Sequence, residues 1–394
     1  MDQDDIVIVA AKRTPLGNLL GSLSSLTAPE LGAIAHQAAL EQAGISPDEI
    51  DEVISGCVLQ AGIGQAPARQ AAIKAGIPNS ANATTINKMC GSGMKAVMLA
   101  NDLLKAGSAN IILASGMESM SNAPYLLGKA RAGFRLGHGE LKDHMFLDGL
   151  EDAYERGKLM GSFAEATAEK YQFTRQQQDE YASRSLTRAL SAQKENVFAA
   201  EIAPVKISDR KGETIVRKDE GPDEIKLSKI SQLKPAFKAE GTVTAANSST
   251  ISDGAASLIL MRAEHAKKRG LHPLARIVAH ASHAQEPQWF TTAPVEAIRK
   301  VLNKANWQPD EVDLYEINEA FAVVTMAAIK DLELDSEKVN IHGGACALGH
   351  PIGASGARII VTLINALRQK QKSKGVAALC IGGGEATAIA IELV

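Results

Sequence analysis

Short apolar runs alternate with longer segments of helical periodicity along most of the chain. In the first part, the runs that predict buried strands are DIVIVAA, EVISGCV and NIILASG, and the segments with helical spacing are PELGAIAHQAALEQAG and CGSGMKAVMLANDLLKAG. Towards the end of the chain the same order returns as LARIVAHA, PVEAIRKVLNKAN, DLYEIN, GASGARIIVTLINALRQ, VAALCIGGG and TAIAIEL. Continuous apolar strands joined by helices predict an α/β fold of mostly parallel sheets covered by helices.

The chain also repeats itself. The segment Ala43–Gly56 (AGISPDEIDEVISG) matches Ala305–Asn318 (ANWQPDEVDLYEIN) at an offset of 262, with Ala, Pro, Asp, Glu and Asp in register. Ser92–Val97 (SGMKAV) matches Ser355–Ile360 (SGARII) at an offset of 263, and the tripeptide IVA occurs early in both parts. Three matches in the same order at nearly constant offset predict two similar halves.

The middle of the chain, residues 119–252, lacks this rhythm and is richer in charge. We interpret it as an insertion in the first half, whose last strand resumes at GAASLILM. The predicted organisation is a first half of residues 1–118 resumed at 253–272, the insertion (119–252), and a second half of residues 273–394. An insertion of this kind suits a lid or a ligand-contacting role. The alternative is a solvated surface excursion.

Composition narrows the class of function. The chain has 394 residues, 45% hydrophobic and 22% charged, which is typical of a soluble protein of two or three domains. The net charge of −3 provides no basic field for nucleic acid or an anionic membrane, and no apolar run approaches a membrane span. The four cysteines form no C-x-x-C pair, and no export signal is apparent, so we expect no metal site and a cytoplasmic location.

The first candidate for chemistry is Cys90, in the segment INKMCGSGMKAV, where a strand passes into a helix. A helix N-terminus favours a thiolate, so we expect the pKa of this thiol to be lowered. The alternative is a small buried residue at a tight corner. Superposing the halves by their Ser-Gly pairs sets Cys90 opposite Gly353, with His350 three residues before that glycine. The two turns can then face each other across one cleft at the strand ends.

Two more candidates follow strands of the second half. Asn318 ends the repeated strand, where its amide could orient a water or simply cap a helix. Cys380 ends an apolar strand and is followed by Gly382–Gly384, whose backbone N–H groups could stabilise an oxyanion. The alternative for Cys380 is a buried cysteine before a turn. Each signal is weak alone, and their convergence on equivalent strand ends favours a site.

The segments INKMCGSGMKAV, NEAFA, GHPIGASGAR and CIGGG, in this order and spacing, closely resemble those of the thiolases. ASGMESMSNAPY and GTVTAANSSTISDGAA add to the likeness, which spans essentially the whole chain. The resemblance implies a duplicated, five-layered α/β/α/β/α fold with an inserted loop domain that holds coenzyme A, and a homotetramer. It implies CoA thioesters as substrates and no separate cofactor.

The resemblance also implies roles for the candidates. Cys90 would take the acyl group, and His350 would activate it. His350 and a water held by Asn318 would then bind the enolate oxygen of a second thioester. Cys380 would remove or return the α-proton, and the N–H groups of Cys90 and Gly382 would form a second oxyanion hole. The implied reaction is a reversible, ping-pong Claisen condensation of two acetyl-CoA molecules to acetoacetyl-CoA and CoA.

Position in the resembling segments further suggests residues that contact the acyl group or CoA. These are Met160, Phe237, Ala245, Ser249, Phe290, Ala320 and Phe321. Phe290 would shorten the acyl pocket, which favours a short-chain enzyme; a thiolase for longer 3-ketoacyl chains is the alternative. Thiolases commonly carry Met or Gln and then Gly after CIGGG, whereas this chain has Glu385 and Ala386. It also has Leu159 where many short-chain members have His.

Two other classes compete with a thiolase. Decarboxylating ketoacyl synthases share the duplicated fold but usually pair their cysteine with two histidines, or with histidine and asparagine, and lack a second cysteine. Cys380 therefore argues against that reading. A non-catalytic acyl-CoA-binding relative would be expected to lose the nucleophile or the base. This chain keeps all four candidate residues, which are Cys90, Asn318, His350 and Cys380.

Overall fold

The computed structural model describes residues 2–209 and 212–394. The strands are β1 (Ile6–Arg13), β2 (Gly17–Asn18), β3 (Glu52–Gly56), β4 (Asn82–Ile86), β5 (Ile111–Ser119), β6 (Tyr125–Leu127), β7 (Leu141–Asp143), β8 (Val205–Asp209), β9 (Gly212–Val216), β10 (Ser252–Arg262), β11 (Ala275–Ala284), β12 (Leu314–Ile317), β13 (Lys374–Ile381) and β14 (Glu385–Leu393). The α-helices are α1 (Ala28–Ala43), α2 (Pro67–Lys74), α3 (Ser92–Ala106), α4 (Met160–Tyr171), α5 (Arg175–Lys194), α6 (Glu224–Leu227), α7 (Ala263–Lys268), α8 (Ala293–Ala305), α9 (Ala322–Asp331), α10 (Ala345–Leu348) and α11 (Ile352–Lys370).

The central strands form one continuous ladder in the order β12-β13-β14-β11-β1-β10-β5-β3-β4. Its two parts join where β1 pairs with β11, through Val7–Arg276 and Ile8–Ala275. The expectation of mostly parallel sheets is wrong. Among the strand pairs of the part of the chain that the structure describes, only β3–β4, β3–β5 and β12–β13 are parallel. The other pairs are antiparallel, and for β13 and β14 the reason is a connecting turn that is too short for a parallel crossover.

The predicted duplication is visible in the backbone. Strands β1 and β11 each shift register at the IVA tripeptide, between Ile8 and Ala10 and between Ile277 and Ala279. The 3₁₀ turn Pro47–Glu49 precedes β3 as a similar turn precedes β12, and both begin with a reciprocal capping box. The two halves therefore share small irregularities as well as the order of their strands and helices.

Helices α3 and α11 form the middle layer between the two parts of the sheet. They approach closely because glycines lie at the contact: a Cβ on Gly93 would meet the Ala357 nitrogen at 2.7 Å, and one on Gly356 the Met94 nitrogen at 2.4 Å. Helices α1 and α2 cover one outer face and α8 and α9 the other, each over a core of its own. The fold is thus the five-layered, duplicated α/β/α/β/α arrangement that the sequence predicted.

The insertion carries the hairpin β6–β7, helices α4 to α6 and the hairpin β8–β9. Helix α4 packs beside the 3₁₀ turn Pro287–Thr292 of the second half, and α5 packs beside α10. After the insertion, β10 lies between β5 and β1. The boundaries of the halves stay a prediction. Within residues 2–209 and 212–394, no helix combines the length and apolar character needed to cross a membrane.

Candidate active site

Cys90 lies in a tight turn between β4 and α3. The chain reverses at Met89, whose φ of 47° places a side-chain-bearing residue in the left-handed region. Ser92, the first residue of α3, fixes the turn. Its Oγ accepts the Lys88 N–H at 2.8 Å and donates to the Met89 carbonyl at 2.6 Å. Cys90 is therefore held in one backbone conformation just before the helix begins.

The pKa of the Cys90 thiol is raised to about 11, because burial of the sulphur disfavours its charged form. The backbone N–H groups of Gly382 and of Cys90 itself donate to the sulphur and lower the pKa, and the nearby Glu118 carboxylate raises it. The expectation of a lowered pKa is wrong, because the donors at the turn offset only part of the burial. The thiol is protonated at neutral pH, so it needs a base.

His350 provides that base in a defined tautomer. Its ring is 6% exposed, and Nδ1 lies 2.6 Å from the Ser355 hydroxyl oxygen. That hydroxyl donates its own proton to the Pro351 carbonyl at 3.0 Å, so its oxygen accepts from Nδ1–H. Nε2 is therefore the unprotonated nitrogen. Burial, followed by the charge of Arg358, lowers the pKa of His350 to about 3, and the ring is neutral at physiological pH.

Asn318 faces the same nitrogen. Its Nδ2 lies 3.5 Å from His350 Nε2, and its buried Oδ1 has no protein partner among the described residues. A buried polar atom of this kind suits a bound water. The next residue, Glu319, anchors the turn, because its carboxylate accepts hydrogen bonds from four groups: the Tyr181 and Ser185 hydroxyls, the Asn340 amide and the Cys346 N–H.

Cys380 lies near the end of β13 and is fully buried. Burial raises the pKa of its thiol well above the usual range, and a charge on Cys90 raises it further. The turn that follows, residues 382–384, has φ values of 94° at Gly383 and 91° at Gly384. These conformations are easy for glycine and let the turn bring the Gly382 N–H to Cys90.

An apolar cavity of about 190 Å³ opens beside His350. Four of the residues that the sequence suggested as acyl or CoA contacts line this cavity: Met160, Phe237, Ser249 and Phe321. Phe290 and Ala320 instead pack with Cys380 in the adjoining apolar cluster, which also contains Phe321. Ala245 is exposed and does not line the cavity. Whether any of these residues touches substrate stays a prediction.

Sequence reasoning missed part of the cavity wall. The additional lining residues are Met120, Phe146, Leu150, Leu159, Gly161, Ser248, Thr250, Ile251 and Ile352. The apolar members resemble ordinary core residues, so their spacing gives no functional signal. Leu159, noted only as a departure from the family pattern, lies in this wall.

Glu118 is a further residue that the sequence analysis did not single out. It is completely buried, and its carboxylate accepts the N–H groups of Val58, Leu59 and Gly353 at 2.8–3.1 Å. Burial raises its pKa to about 7. It links the loop after β3 to the first turn of α11, close to Cys90. An acidic residue at the end of the apolar run NIILASGMES was the available signal.

A duplicated five-layered fold, with a cysteine turn from one half set against a histidine and a second cysteine from the other, defines a class of α/β acyltransferases. The model of the thiolase N-terminal domain matches residues 6–264, and that of the thiolase C-terminal domain matches residues 271–393. The chain belongs to the thiolase family.

Its relatives are similar over nearly their full length. Acetyl-CoA acetyltransferase 2 of Arabidopsis thaliana is 51% identical over 99% of this chain and 97% of its own. Acetyl-CoA acetyltransferase of Cupriavidus necator is 50% identical over 98% of this chain and 99% of its own. The crystal structure of the Bacillus anthracis acetyl-CoA acetyltransferase superposes with a TM-score of 0.97 at 43% identity, covering 99% of both chains.

Proposed function

We propose that the protein is an acetyl-CoA C-acetyltransferase that condenses two acetyl-CoA molecules, reversibly, to acetoacetyl-CoA and CoA. The observation that carries the proposal is that His350, with its unprotonated Nε2, lines an apolar cavity whose wall shares residues with the apolar clusters around Cys90 and Cys380. The names of the relatives, at about half identity over the whole chain, support the same activity.

In the first half-reaction, His350 Nε2 takes the proton of Cys90, and the sulphur attacks the carbonyl carbon of acetyl-CoA. The C–S bond to CoA breaks, and the CoA sulphur leaves with the proton returned by His350. The N–H groups of Cys90 and Gly382, which lower the pKa of the Cys90 thiol, would stabilise the oxyanion of the tetrahedral intermediate. The product is an acetyl thioester on Cys90.

In the second half-reaction, His350 Nε2 takes the proton of the Cys380 thiol, and the Cys380 thiolate takes an α-proton from a second acetyl-CoA. The resulting enolate oxygen accepts from the protonated Nε2 of His350 and from a water on Oδ1 of Asn318. The carbanion attacks the acetyl carbon on Cys90, Cys90 leaves as a thiolate, and His350 returns its proton to that sulphur. The apolar surroundings of Cys380 exclude water, which strengthens these hydrogen bonds. No resident cofactor or metal is required.

The mass of the Cys90 peptide tests the mechanism. After incubation with acetyl-CoA, the tryptic peptide that contains Cys90 should gain one acetyl group. Cys380→Ser should still acetylate Cys90 but form no acetoacetyl-CoA, because only the second half-reaction needs its thiol. A folded wild-type protein with an unmodified Cys90 would contradict the proposal.

A variant of Phe290 tests which lengths of acyl chain the enzyme accepts. This ring is 3% exposed and packs edge-on against Phe163 at 6.2 Å, in the same apolar cluster as Cys380. It therefore supports a short acyl pocket. We expect wild type to prefer acetoacetyl-CoA to longer 3-ketoacyl-CoAs in the cleavage direction and Phe290→Gly to accept longer chains. A variant that gains nothing on longer chains would contradict the assignment of Phe290.

We also propose a homotetramer and a cytoplasmic location. The segment 125–141 exposes a set of large apolar side chains that suits burial against another subunit: Tyr125, Leu127, Phe134, Leu136 and Leu141. Leu136→Glu should lower the mass measured by sedimentation. All four cysteines are free thiols, which suits a reducing compartment.

A further inference from the structure

The departure from the family pattern at Glu385 has a structural counterpart. Glu385 is the first residue of β14, directly after the glycine turn, and is registered opposite Ile381. Its carboxylate forms an ion pair with the Lys88 ammonium, 297 residues away in sequence. It does not line the cavity, and Ala386 lies in the outer core under α8. The change in sequence therefore alters the attachment of the Cys90 turn and leaves the cavity wall untouched.

Lys88 belongs to the Cys90 turn through its backbone. Its N–H donates to Ser92 Oγ, and its carbonyl accepts the Gly91 N–H at 3.0 Å. The same turn sits directly on β13, since a Cβ at Gly91 would come within 2.4 Å of Ile381 Cδ1. The ion pair thus joins the Cys90 turn to β14 beside the contact between Gly91 and Ile381, one residue before Gly382. The side chains of Lys88 and Glu385 are 23% and 38% exposed, so water screens the pair only in part.

We propose that Glu385 is a positioning residue, which through its ion pair with Lys88 holds the Cys90 turn against the 382–384 turn and keeps the Gly382 N–H on the reacting sulphur. The inference rests on the proposed acetyl transfer and goes beyond it. It concerns the charge at this position, where the family pattern has Met or Gln. Small displacements of an oxyanion donor weaken transition-state binding more than substrate binding.

Kinetics of single and paired variants test the inference. Glu385→Gln and Lys88→Met should each lower kcat about fivefold, with little change in KM, and the double variant should be no worse than either. Lys88→Arg keeps the ion pair and should retain wild-type kcat. The rate of Cys90 acetylation by acetyl-CoA should fall in parallel, because the same N–H serves that step.

A matched control is the Glu49–Arg269 ion pair, whose side chains are 33% and 28% exposed and which joins segments 220 residues apart, away from the cavity. Glu49→Gln should leave kcat unchanged. Wild-type kcat in Glu385→Gln and Lys88→Met, or effects that add in the double variant, would overturn the inference. The proposed function would still stand on wild-type acetylation of Cys90, and loss of acetylation in wild type would refute that function instead.

Discussion

At the scale of single residues, the base depends on one hydroxyl. Ser355 accepts from His350 Nδ1–H and so leaves the lone pair on Nε2, the nitrogen that faces Asn318. Ser355→Ala removes that acceptor, so the wrong tautomer becomes populated and the ring loses its orientation. We expect kcat to fall about 10- to 100-fold with KM little changed, measured in steady-state kinetics.

The chain offers a matched control for this variant. His36 Nδ1 lies 2.8 Å from the Ser257 hydroxyl, also fully buried, and burial lowers the pKa of His36 to about 3 as it does for His350. Ser257→Ala breaks the same kind of hydrogen bond away from the cavity, so it should lower the melting temperature and leave kcat unchanged. Equal kcat values for Ser355→Ala and wild type would contradict the assigned tautomer.

The sequence predicted which residues are candidates for the site better than it predicted their burial and pKa. The repeat predicted that the turns of Cys90 and His350 face each other, and the structure brings the helices that follow these turns into contact, since a Cβ on Gly93 would meet the Gly353 carbonyl oxygen at 3.1 Å. The pKa of Cys90 could not be predicted, because it depends on how deeply the sulphur is buried, which short-range patterns do not contain. Glu118 was missed for a related reason: its partners lie in segments far apart in sequence, and only the folded chain brings them to one carboxylate.

At the scale of elements, the turn between β13 and β14 decides where the Gly382 N–H points. Gly384 has a φ of 91°, and an added Cβ would lie 2.2 Å from the Gln285 carbonyl oxygen. Gly384→Ala should therefore destabilise the protein by more than about 2 kcal/mol, through backbone strain and a clash, and should lower kcat by moving the turn. Urea unfolding and steady-state kinetics measure the two effects.

Gly107 is a control for the backbone strain at Gly384, because it has a similar positive φ but lies outside the turn between β13 and β14. It has a φ of 75° at the end of α3, and no atom lies within 4 Å of an added Cβ. Gly107→Ala should cost roughly 1 kcal/mol of stability and leave kcat at the wild-type value. A Gly384→Ala protein that loses stability but keeps full kcat would mean that the turn does not control the site.

The elements show why the sheet direction was mispredicted. Apolar runs such as VAALCIGGG correctly indicated buried strands, and buried strands are typical of parallel sheets. Direction, however, is set by the connection. The three glycines between β13 and β14 allow only a reversal, whereas α3 between β4 and β5 allows a crossover. The five layers could be predicted from the repeat. Each half contains a sheet whose two faces must be covered by helices, so two similar halves share the helices that lie between their sheets.

At the scale of the whole molecule, buried histidines couple stability to pH. His342 is 7% exposed, its ring is edge-on to Phe198, and burial followed by the Lys370 charge lowers its pKa from 6.5 to about 4. Between pH 6.5 and 4 the unfolded chain binds a proton that the native state does not, so this group makes stability fall as the pH falls through that window.

His342→Leu should therefore flatten the acid side of the stability profile. We expect the loss of unfolding free energy between pH 6.5 and 5 to be smaller than in wild type by roughly 1 to 2 kcal/mol, measured by urea titration at each pH. His138→Leu, at an exposed position of the insertion, controls for the substitution itself. Parallel profiles for His342→Leu and wild type would contradict the coupling.

The insertion is attached to the sheet by one buried cluster of charge. Arg13 of β1 is fully buried and donates to Glu201 at 2.6 Å and, through both Nη atoms, to Asp219 at 2.6 and 2.9 Å. Burial raises the pKa of Glu201, and the positive charge of Arg13 lowers it. Removing only the cation leaves two buried carboxylates without it, which typically costs about 3 to 5 kcal/mol.

We therefore expect Arg13→Met to lower the free energy of urea unfolding by about that amount and to open the chain next to Glu201 and Asp219 to limited proteolysis before the rest. Adding Glu201→Gln and Asp219→Asn should recover much of the loss, because the penalty comes from unpaired charge. Asp4→Asn breaks an ion pair with Arg262 at a side chain that is 83% exposed, and should cost less than about 1 kcal/mol. If the triple variant were as unstable as Arg13→Met, shape at this site would matter more than charge.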